Sequence, residues 1–376
     1  MQQAVIAGYV RTPFHFARKG ALAGVRPDDL AAVAVRALVE RTGIDPVTLE
    51  DVLLGCAYPE AAQGNNIARI AALLAGLPIE VAGATVNRFC GSSMSAIHIA
   101  AGQIAIGAGD AFIAGGVESM TQVPQGGFNF SPNPSLMEAY ISMGETAENV
   151  AARYGVSRAA QEELAFGSQQ KAATAQAAGR LRDEIVGVMT EAGLVDADGC
   201  LRPQTTLEGL AGLKPAFRPD GTVTAGTSSP LTDGASATLV TSEAYAAAHG
   251  LEPLARIRSV AVAGCPPEIM GMGPVPATRA ALQRTGLTLD DMSVLELNEA
   301  FAAQTLACLR ELGVEDDDPR VNPNGGAIAL GHPLGMSGAR LLLTAARELE
   351  RTGERYALCT MCVGVGQGTA TILERV

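Results

Sequence analysis

The sequence repeats itself at long range, and this repeat constrains the fold more than any other feature. Arg41-Thr42-Gly43-Ile44 recurs as Arg284-Thr285-Gly286-Leu287, an offset of 284 − 41 = 243 residues. Met94-Ser95-Ala96 recurs as Met336-Ser337-Gly338 at nearly the same offset, 336 − 94 = 242. Two matches in register indicate a duplicated fold, with chance similarity of Ala- and Gly-rich segments as the alternative.

The first copy begins with alternating strand and helix signals. An apolar run over residues 5–10 predicts a strand, and residues 28–42 carry apolar side chains at helical spacing before Gly43. A second short strand is predicted over residues 51–55. This rhythm predicts an α/β fold with a largely parallel sheet.

The repeat also predicts how the chain divides. We interpret residues 1–116 with 232–253 as the N-terminal half and residues 254–376 as the C-terminal half. Residues 117–231 then form an insertion, with loop composition over 122–135 and helices predicted over 146–155 and 158–178. We expect this insertion to act as a lid or cap.

Charge and composition exclude several classes of protein. With 27 basic and 39 acidic residues the formal charge is −12, which opposes nucleic-acid binding. No window approaches the roughly 20 apolar residues that a membrane span needs, and no basic segment opens a signal peptide. We therefore expect a cytoplasmic protein without a membrane span, whose seven cysteines are thiols.

One cysteine lies at a predicted strand-to-helix junction, in Asn87-Arg88-Phe89-Cys90-Gly91-Ser92. A strand over residues 83–86 leads into a helix that begins near Gly91. A helix N-terminus stabilises negative charge, so the position favours a thiolate nucleophile. The alternative is a small, buried, apolar cysteine.

A histidine lies at the matching position of the second copy, 332 − 90 = 242, in Gly331-His332-Pro333-Leu334-Gly335. Pseudo-twofold symmetry would bring the two turns face to face. A Cys–His pair is the simplest way to activate a thiol. The alternative for His332 is a structural role in capping the turn.

Two further motifs carry reactive side chains. Cys359-Thr360-Met361-Cys362 could be a redox pair or half a zinc site, but no further ligands lie at suitable spacing, so no metal is expected. Residues three apart in a strand point to opposite faces. Cys362 is next to the glycines, so we interpret it as the catalytic candidate and Cys359 as a packing residue. In Asn298-Glu299-Ala300-Phe301 the polar pair is either a structural network or a donor near a reacting carbonyl.

These motifs, in this order and spacing, resemble the thiolase family over essentially the whole chain. The resemblance rests on Asn-Arg-Phe-Cys-Gly-Ser, Asn-Glu-Ala-Phe, Gly-Gly-Ala-Ile-Ala-Leu-Gly-His-Pro-Leu-Gly and Cys-Val-Gly-Val-Gly-Gln-Gly. It implies a duplicated five-layer α/β/α/β/α fold with an inserted loop domain that binds coenzyme A. Coenzyme A would be a co-substrate, with no tightly bound cofactor.

The resemblance also implies roles for the reactive residues. Cys90 would attack the keto carbonyl of a 3-ketoacyl-CoA after His332 takes its proton, and Cys362 would protonate the departing acetyl-CoA carbanion and then deprotonate the incoming coenzyme A. One oxyanion hole would use His332 and a water held by Asn298. The other would use the backbone N–H groups of Cys90 and Gly364.

The implied coenzyme A contacts are more loosely specified. Those positions are Arg202 near the adenine, Phe217 along the nucleotide, Ser229 and Ala300 near the pantetheine, and Met143 and Met270 near the acyl end. Ser142 and Gly209 depart from the residues usual in short-chain biosynthetic members.

Thr227-Ser228-Ser229-Pro230-Leu231 and Cys362-Val363-Gly364-Val365-Gly366 resemble the degradative 3-ketoacyl-CoA thiolases of fatty-acid β-oxidation. An acetyl-CoA C-acetyltransferase is the alternative, and a non-catalytic acyl-CoA carrier on the same fold is a remote one. Family members are typically homodimers or homotetramers, and some associate with a hydratase/dehydrogenase subunit.

Overall fold

The computed structural model describes residues 2–123 and 131–376. Residues 124–130, which belong to the loop predicted over 122–135, lie outside the described part of the chain. The strands are β1 Ala4–Arg11, β2 His15–Phe16, β3 Asp51–Gly55, β4 Ala82–Val86, β5 Ala111–Ser119, β6 Val188–Thr190, β7 Gly193–Val195, β8 Thr232–Ser242, β9 Ala255–Gly264, β10 Val294–Leu297, β11 Tyr356–Val363 and β12 Gln367–Glu374. The helices are α1 Pro27–Thr42, α2 Ile67–Leu74, α3 Ser92–Ala105, α4 Met143–Arg153, α5 Arg158–Ala177, α6 Leu207–Ala211, α7 Glu243–Ala248, α8 Pro274–Thr285, α9 Ala302–Leu312, α10 Ala327–Leu330 and α11 Ser337–Thr352.

The strand order confirms the duplication. In the N-terminal half the strands are ordered β1-β8-β5-β3-β4, and in the C-terminal half β9-β12-β11-β10 follow the same plan. A short parallel bridge between Leu295 and Val321 stands where the second copy of β4 would lie. The two sheets join edge to edge through only two residue pairs of β1 and β9.

The prediction of a largely parallel sheet is wrong, because each half contains one reversed strand. β8 lies between β1 and β5 and runs antiparallel to both. It follows the long insertion, so no βαβ crossover fixes its direction. In the second half β12 follows β11 through a tight turn with positive φ at Val365 and Gly366, and it is therefore antiparallel too.

The five layers pack around three large hydrophobic cores. One core lies between α1, α2 and the N-terminal sheet, and a second between the C-terminal sheet and α8, α9. The third lies between the two sheets and contains α3 and α11. Neighbouring residues of a strand alternate between cores, since Leu53 faces the central layer while Val52 and Leu54 face the outer one.

The repeated Met-Ser segments lie where α3 and α11 cross. A Cβ at Gly338 would come within 2.6 Å of the Met94 Cβ, so only glycine permits this approach. The Ser93 hydroxyl accepts a hydrogen bond of 3.0 Å from the Ala339 N–H. The N-terminal turns of the two central helices are thereby held side by side.

The insertion contains α4 and α5, which confirm the two helices predicted there. Ser142 and Ser157 cap them, each accepting a backbone N–H in the first turn. Buried Arg11 at the end of β1 donates to Asp198 and Glu184 of the insertion at 2.8 Å. These ion pairs fasten the insertion to the N-terminal sheet. Among the described residues, no helix is long and apolar enough to cross a bilayer.

Candidate active site

A pocket of ≈ 690 Å³ lies between the insertion and the ends of both sheets. Nine residues singled out from the sequence line it: Cys90, Met143, Arg202, Phe217, Ser229, Met270, Ala300, His332 and Cys362. The other two, Asn298 and Gly364, lie directly behind it, in contact with His332 and Cys90 respectively. The pocket therefore gathers residues from both halves and from the insertion.

Cys90 lies on a strained turn between β4 and α3. The preceding Phe89 has φ +42, a left-handed conformation that a bulky residue rarely adopts. The Ser92 hydroxyl steadies the turn, accepting from the Arg88 N–H at 2.9 Å and donating to the Phe89 carbonyl at 2.5 Å. The strain therefore holds Cys90 at the pocket surface, immediately before the helix.

The electrostatics around Cys90 oppose ionisation. Burial and then the Glu118 carboxylate raise its pKa to about 12, against the backbone N–H groups of Cys90 and Gly364, which favour the thiolate. Desolvation outweighs the helix N-terminus here, and proton transfer has to accompany attack.

His332 is held as a neutral base. Ser337 donates to the Pro333 carbonyl at 2.9 Å, so its oxygen accepts the Nδ1–H of His332 at 2.6 Å. This assignment leaves Nε2 without a proton. Burial and, to a smaller extent, the Arg340 cation lower the pKa of His332 to about 3. The imidazole is thus neutral across physiological pH.

Ser337→Ala should lower kcat about tenfold, because the variant loses a bond that sets the tautomer and orientation of His332. The KM for substrate should stay near the wild-type value, since Ser337 does not line the pocket. The matched control is Ser93→Ala, which removes a buried hydroxyl from the same helix crossing. Steady-state kinetics on both variants would measure the effect, and an equal loss of kcat in both would contradict a specific role for Ser337.

Asn298 and Glu299 have separate surroundings. The Asn298 Nδ2 lies 3.4 Å from the His332 Nε2, and its Oδ1 has no partner among residues 2–123 and 131–376. Glu299 accepts hydrogen bonds from Ser168, Asn322 and the Ile328 N–H, away from the pocket. Asn298 is thus the member of the pair beside the reacting groups, and Glu299 joins the insertion to the C-terminal half.

Cys362 and Cys359 lie on opposite faces of β11, which confirms the strand argument. Cys362 lines the pocket, and burial raises its pKa well above the usual range, with Cys90 as the next cause. The Cys359 thiol faces the central core, 3.5 Å from the Leu341 carbonyl. Gly364 lies in the turn just after β11, where its N–H reaches the Cys90 sulfur.

The opening of the pocket combines aromatic rings and cations. Phe217 packs edge-on against Phe301 with centroids 6.0 Å apart. Arg202 and Lys19 lie over the Phe16 ring, 5.0 and 4.8 Å from its centroid. The Ser229 hydroxyl donates to the Ala300 carbonyl at 3.1 Å.

Sequence reasoning missed several residues of the site. Tyr58, Phe16 and Lys19 line the pocket from two loops and the short strand β2, whose sequences carry no motif. Ser337 belonged to the repeat but was not linked to His332. Glu118 could have been found from the sequence, because it is an acidic residue near the end of an otherwise largely apolar strand. Within the described ranges, no cluster of His, Cys, Asp or Glu could hold a metal ion.

A duplicated α/β fold brings two cysteines and a histidine into one pocket, an arrangement that suits thiol-based covalent chemistry. The family profiles "Thiolase, N-terminal domain" and "Thiolase, C-terminal domain" match residues 4–244 and 251–375. The chain belongs to the thiolase family of acyltransferases.

Individual relatives extend over the full length of both chains. The chain is 52% identical to the beta-ketoadipyl-CoA thiolase of Escherichia coli. It is 50% identical to the 3-ketoacyl-CoA thiolase of Pseudoalteromonas translucida and 49% identical to the 3-ketoacyl-CoA thiolase of Bacillus subtilis. The relatives thus differ in the acyl group that their names specify.

Proposed function

We propose that the protein cleaves 3-ketoacyl-CoA with coenzyme A to give acetyl-CoA and a shortened acyl-CoA. The observation that carries this proposal is the convergence of Cys90, His332 and Cys362 on one pocket. Cys90 attacks the keto carbonyl as its proton passes to the unprotonated Nε2 of His332. A covalent acyl-cysteine then divides one difficult transfer into two easier ones.

Cys362 acts as the acid and then as the base. A thioester enolate is a poor leaving group, so it needs a positioned proton donor, and a buried thiol with a raised pKa is protonated and ready to give one. The resulting thiolate then takes the proton of the incoming coenzyme A. The N–H groups of Cys90 and Gly364 stabilise one oxyanion, and His332 with a water on the Asn298 amide stabilises the other.

The coenzyme A would extend from the cysteines to the opening of the pocket. Ser229 and Ala300 would contact the pantetheine, while Phe217 and Arg202 would contact the nucleotide. Coenzyme A is a co-substrate in this proposal, so the enzyme needs no tightly bound cofactor.

An apolar acyl chain fits the inner wall of the pocket. Near the cysteines the lining is apolar, including Met120, Met143, Met270, Phe301 and Leu334. We therefore place medium and long 3-ketoacyl-CoA first among the substrates, as in fatty-acid degradation.

A second candidate is 3-oxoadipyl-CoA, whose acyl chain ends in a carboxylate. Two observations favour it. The Escherichia coli relative is named for a ketoadipyl substrate, and Lys19 lines the pocket with its ammonium over the Phe16 ring, without an acidic residue among the described lining.

Thiolysis of acetoacetyl-CoA, 3-oxohexanoyl-CoA, 3-oxodecanoyl-CoA and 3-oxoadipyl-CoA would decide between these candidates. The two six-carbon substrates differ only in the terminal charge. We expect kcat/KM to be at least as high for the ten-carbon as for the six-carbon uncharged chain, and Lys19→Met to leave both unchanged. A preference for 3-oxoadipyl-CoA that Lys19→Met removes would establish the second candidate, a preference for acetoacetyl-CoA would indicate an acetyltransferase, and no cleavage of any of them would contradict the proposal.

A further inference from the structure

A buried carboxylate with no ion-pair partner among the described residues lies behind the two catalytic turns. Glu118, the penultimate residue of β5, is 0% exposed. Burial raises its pKa, and hydrogen bonds from Gln63, Ala57, Gly335 and Tyr58 lower it. Burying a carboxylate is costly, and here hydrogen bonds replace the water that it loses.

The donors come from both halves of the fold. The Glu118 Oε2 accepts the Ala57 N–H from the N-terminal half and the Gly335 N–H from the C-terminal half, both at 2.8 Å. Its Oε1 accepts the Gln63 amide at 2.7 Å and the Tyr58 N–H at 3.3 Å. One side chain thus joins the loop after β3 to the turn that carries His332.

Each of these segments supports a catalytic residue. Gly335 is three residues beyond His332, and a Cβ there would lie 2.6 Å from the Ala57 nitrogen and 2.8 Å from the Glu118 Oε2. Tyr58 packs edge-on against Phe89, with centroids 6.3 Å apart, and Phe89 directly precedes Cys90. One chain of contacts from the His332 turn to the Cys90 turn therefore passes through the Glu118 carboxylate.

We propose that Glu118 is a positioning residue that fixes the His332 turn relative to the Cys90 turn, and that its negative charge acts together with burial against the Cys90 thiolate. The proposal rests on the proposed thiolase chemistry for its kinetic part only. The protonation of Cys90 can be measured without any substrate.

Several groups besides Glu118 face Cys90. Tyr58 approaches from the loop after β3, Cys362 from the end of β11, and His332 from across the pocket. The Arg88 cation lies on the same turn, where it donates to Ser95 and Gln367. Among the charged groups, the Glu118 carboxylate raises the pKa of Cys90, in addition to burial.

The test compares Glu118→Gln with Glu118→Asp in the full chain. Gln removes the charge and replaces one accepting oxygen with a donor, whereas Asp keeps the charge on a shorter side chain. For both we expect kcat to fall about 10²-fold, the effect of roughly 1 Å of misplacement between reacting groups. The pH profile of Cys90 alkylation by iodoacetamide should move to lower pH in Glu118→Gln and stay at the wild-type position in Glu118→Asp.

Glu299→Gln is the matched control, because it also neutralises a buried, hydrogen-bonded carboxylate but lies away from Cys90. It should leave the alkylation profile in place. An unmoved profile in Glu118→Gln, or a kcat within twofold of wild type in both Glu118 variants, would overturn the proposal. If Glu118→Gln does not fold, a wild-type kcat in Glu118→Asp would by itself overturn the proposal. Wild-type protein without thiolase activity would refute the proposed function, while the alkylation comparison would still test the charge effect.

Discussion

Cys90→Ala is expected to abolish thiolysis, with a loss on the order of 10⁶-fold, the scale seen when a covalent nucleophile is removed. The loss is large because no other thiol can take over. Cys362, the other thiol that lines the pocket, lies on β11 and not on the turn before α3 that carries Cys90, and burial raises its pKa well above the usual range. Continuous assay of 3-ketoacyl-CoA cleavage, with the folded state checked by thermal unfolding, would measure the effect.

Mass spectrometry can test independently whether Cys90 is the residue that becomes acylated. Wild-type protein mixed with substrate in the absence of free coenzyme A should gain the mass of the shortened acyl group on the peptide that contains Cys90. Cys90→Ala should gain none. An adduct on another cysteine, or residual cleavage near the wild-type rate, would show that Cys90 is not the nucleophile.

Cys362→Ala should lower kcat by roughly 10²–10⁴-fold, the range for loss of a general acid–base group. Alkylation of Cys90 should continue in this variant, because the nucleophile and His332 remain in place. The measurement therefore separates loss of the acid–base step from loss of the nucleophile.

Cys359→Ala is the matched control for Cys362→Ala. Both thiols are buried in β11, three residues apart, but Cys359 faces the central core and has no contact with the pocket. We expect near wild-type kcat from this control and a modest drop in the midpoint of thermal unfolding. Equal loss of kcat in the two variants would mean that the strand, and not the Cys362 thiol, is required.

Much of the fold follows from local patterns in the sequence. The repeat predicted two halves with the same fold, and the spacing of Cys359 and Cys362 predicted that the two thiols face opposite sides of a strand. Both inferences use short-range periodicity or internal comparison, which the sequence displays directly.

Other features depend on contacts between distant segments. The direction of β8 is set by its pairing with β1 and β5, not by the residues that precede it. The helix N-terminus at Cys90 suggested a thiolate, but the site is dominated by burial and by Glu118, 28 residues further along the chain (118 − 90 = 28). Ser337 and Glu118 act through partners that only the folded chain brings near, so no motif identified them.

The crossing of α3 and α11 has a consequence for how such a site could arise. Cys90 and His332 occupy corresponding positions of the two repeats, immediately ahead of two central helices that touch. A symmetric pair of identical subunits would have to place the same residue at both positions. Once the two copies share one chain, each can mutate independently, so that one position can hold a nucleophilic thiol and the other a proton acceptor. The covalent link between the repeats thus permits a division of labour that strict twofold symmetry forbids.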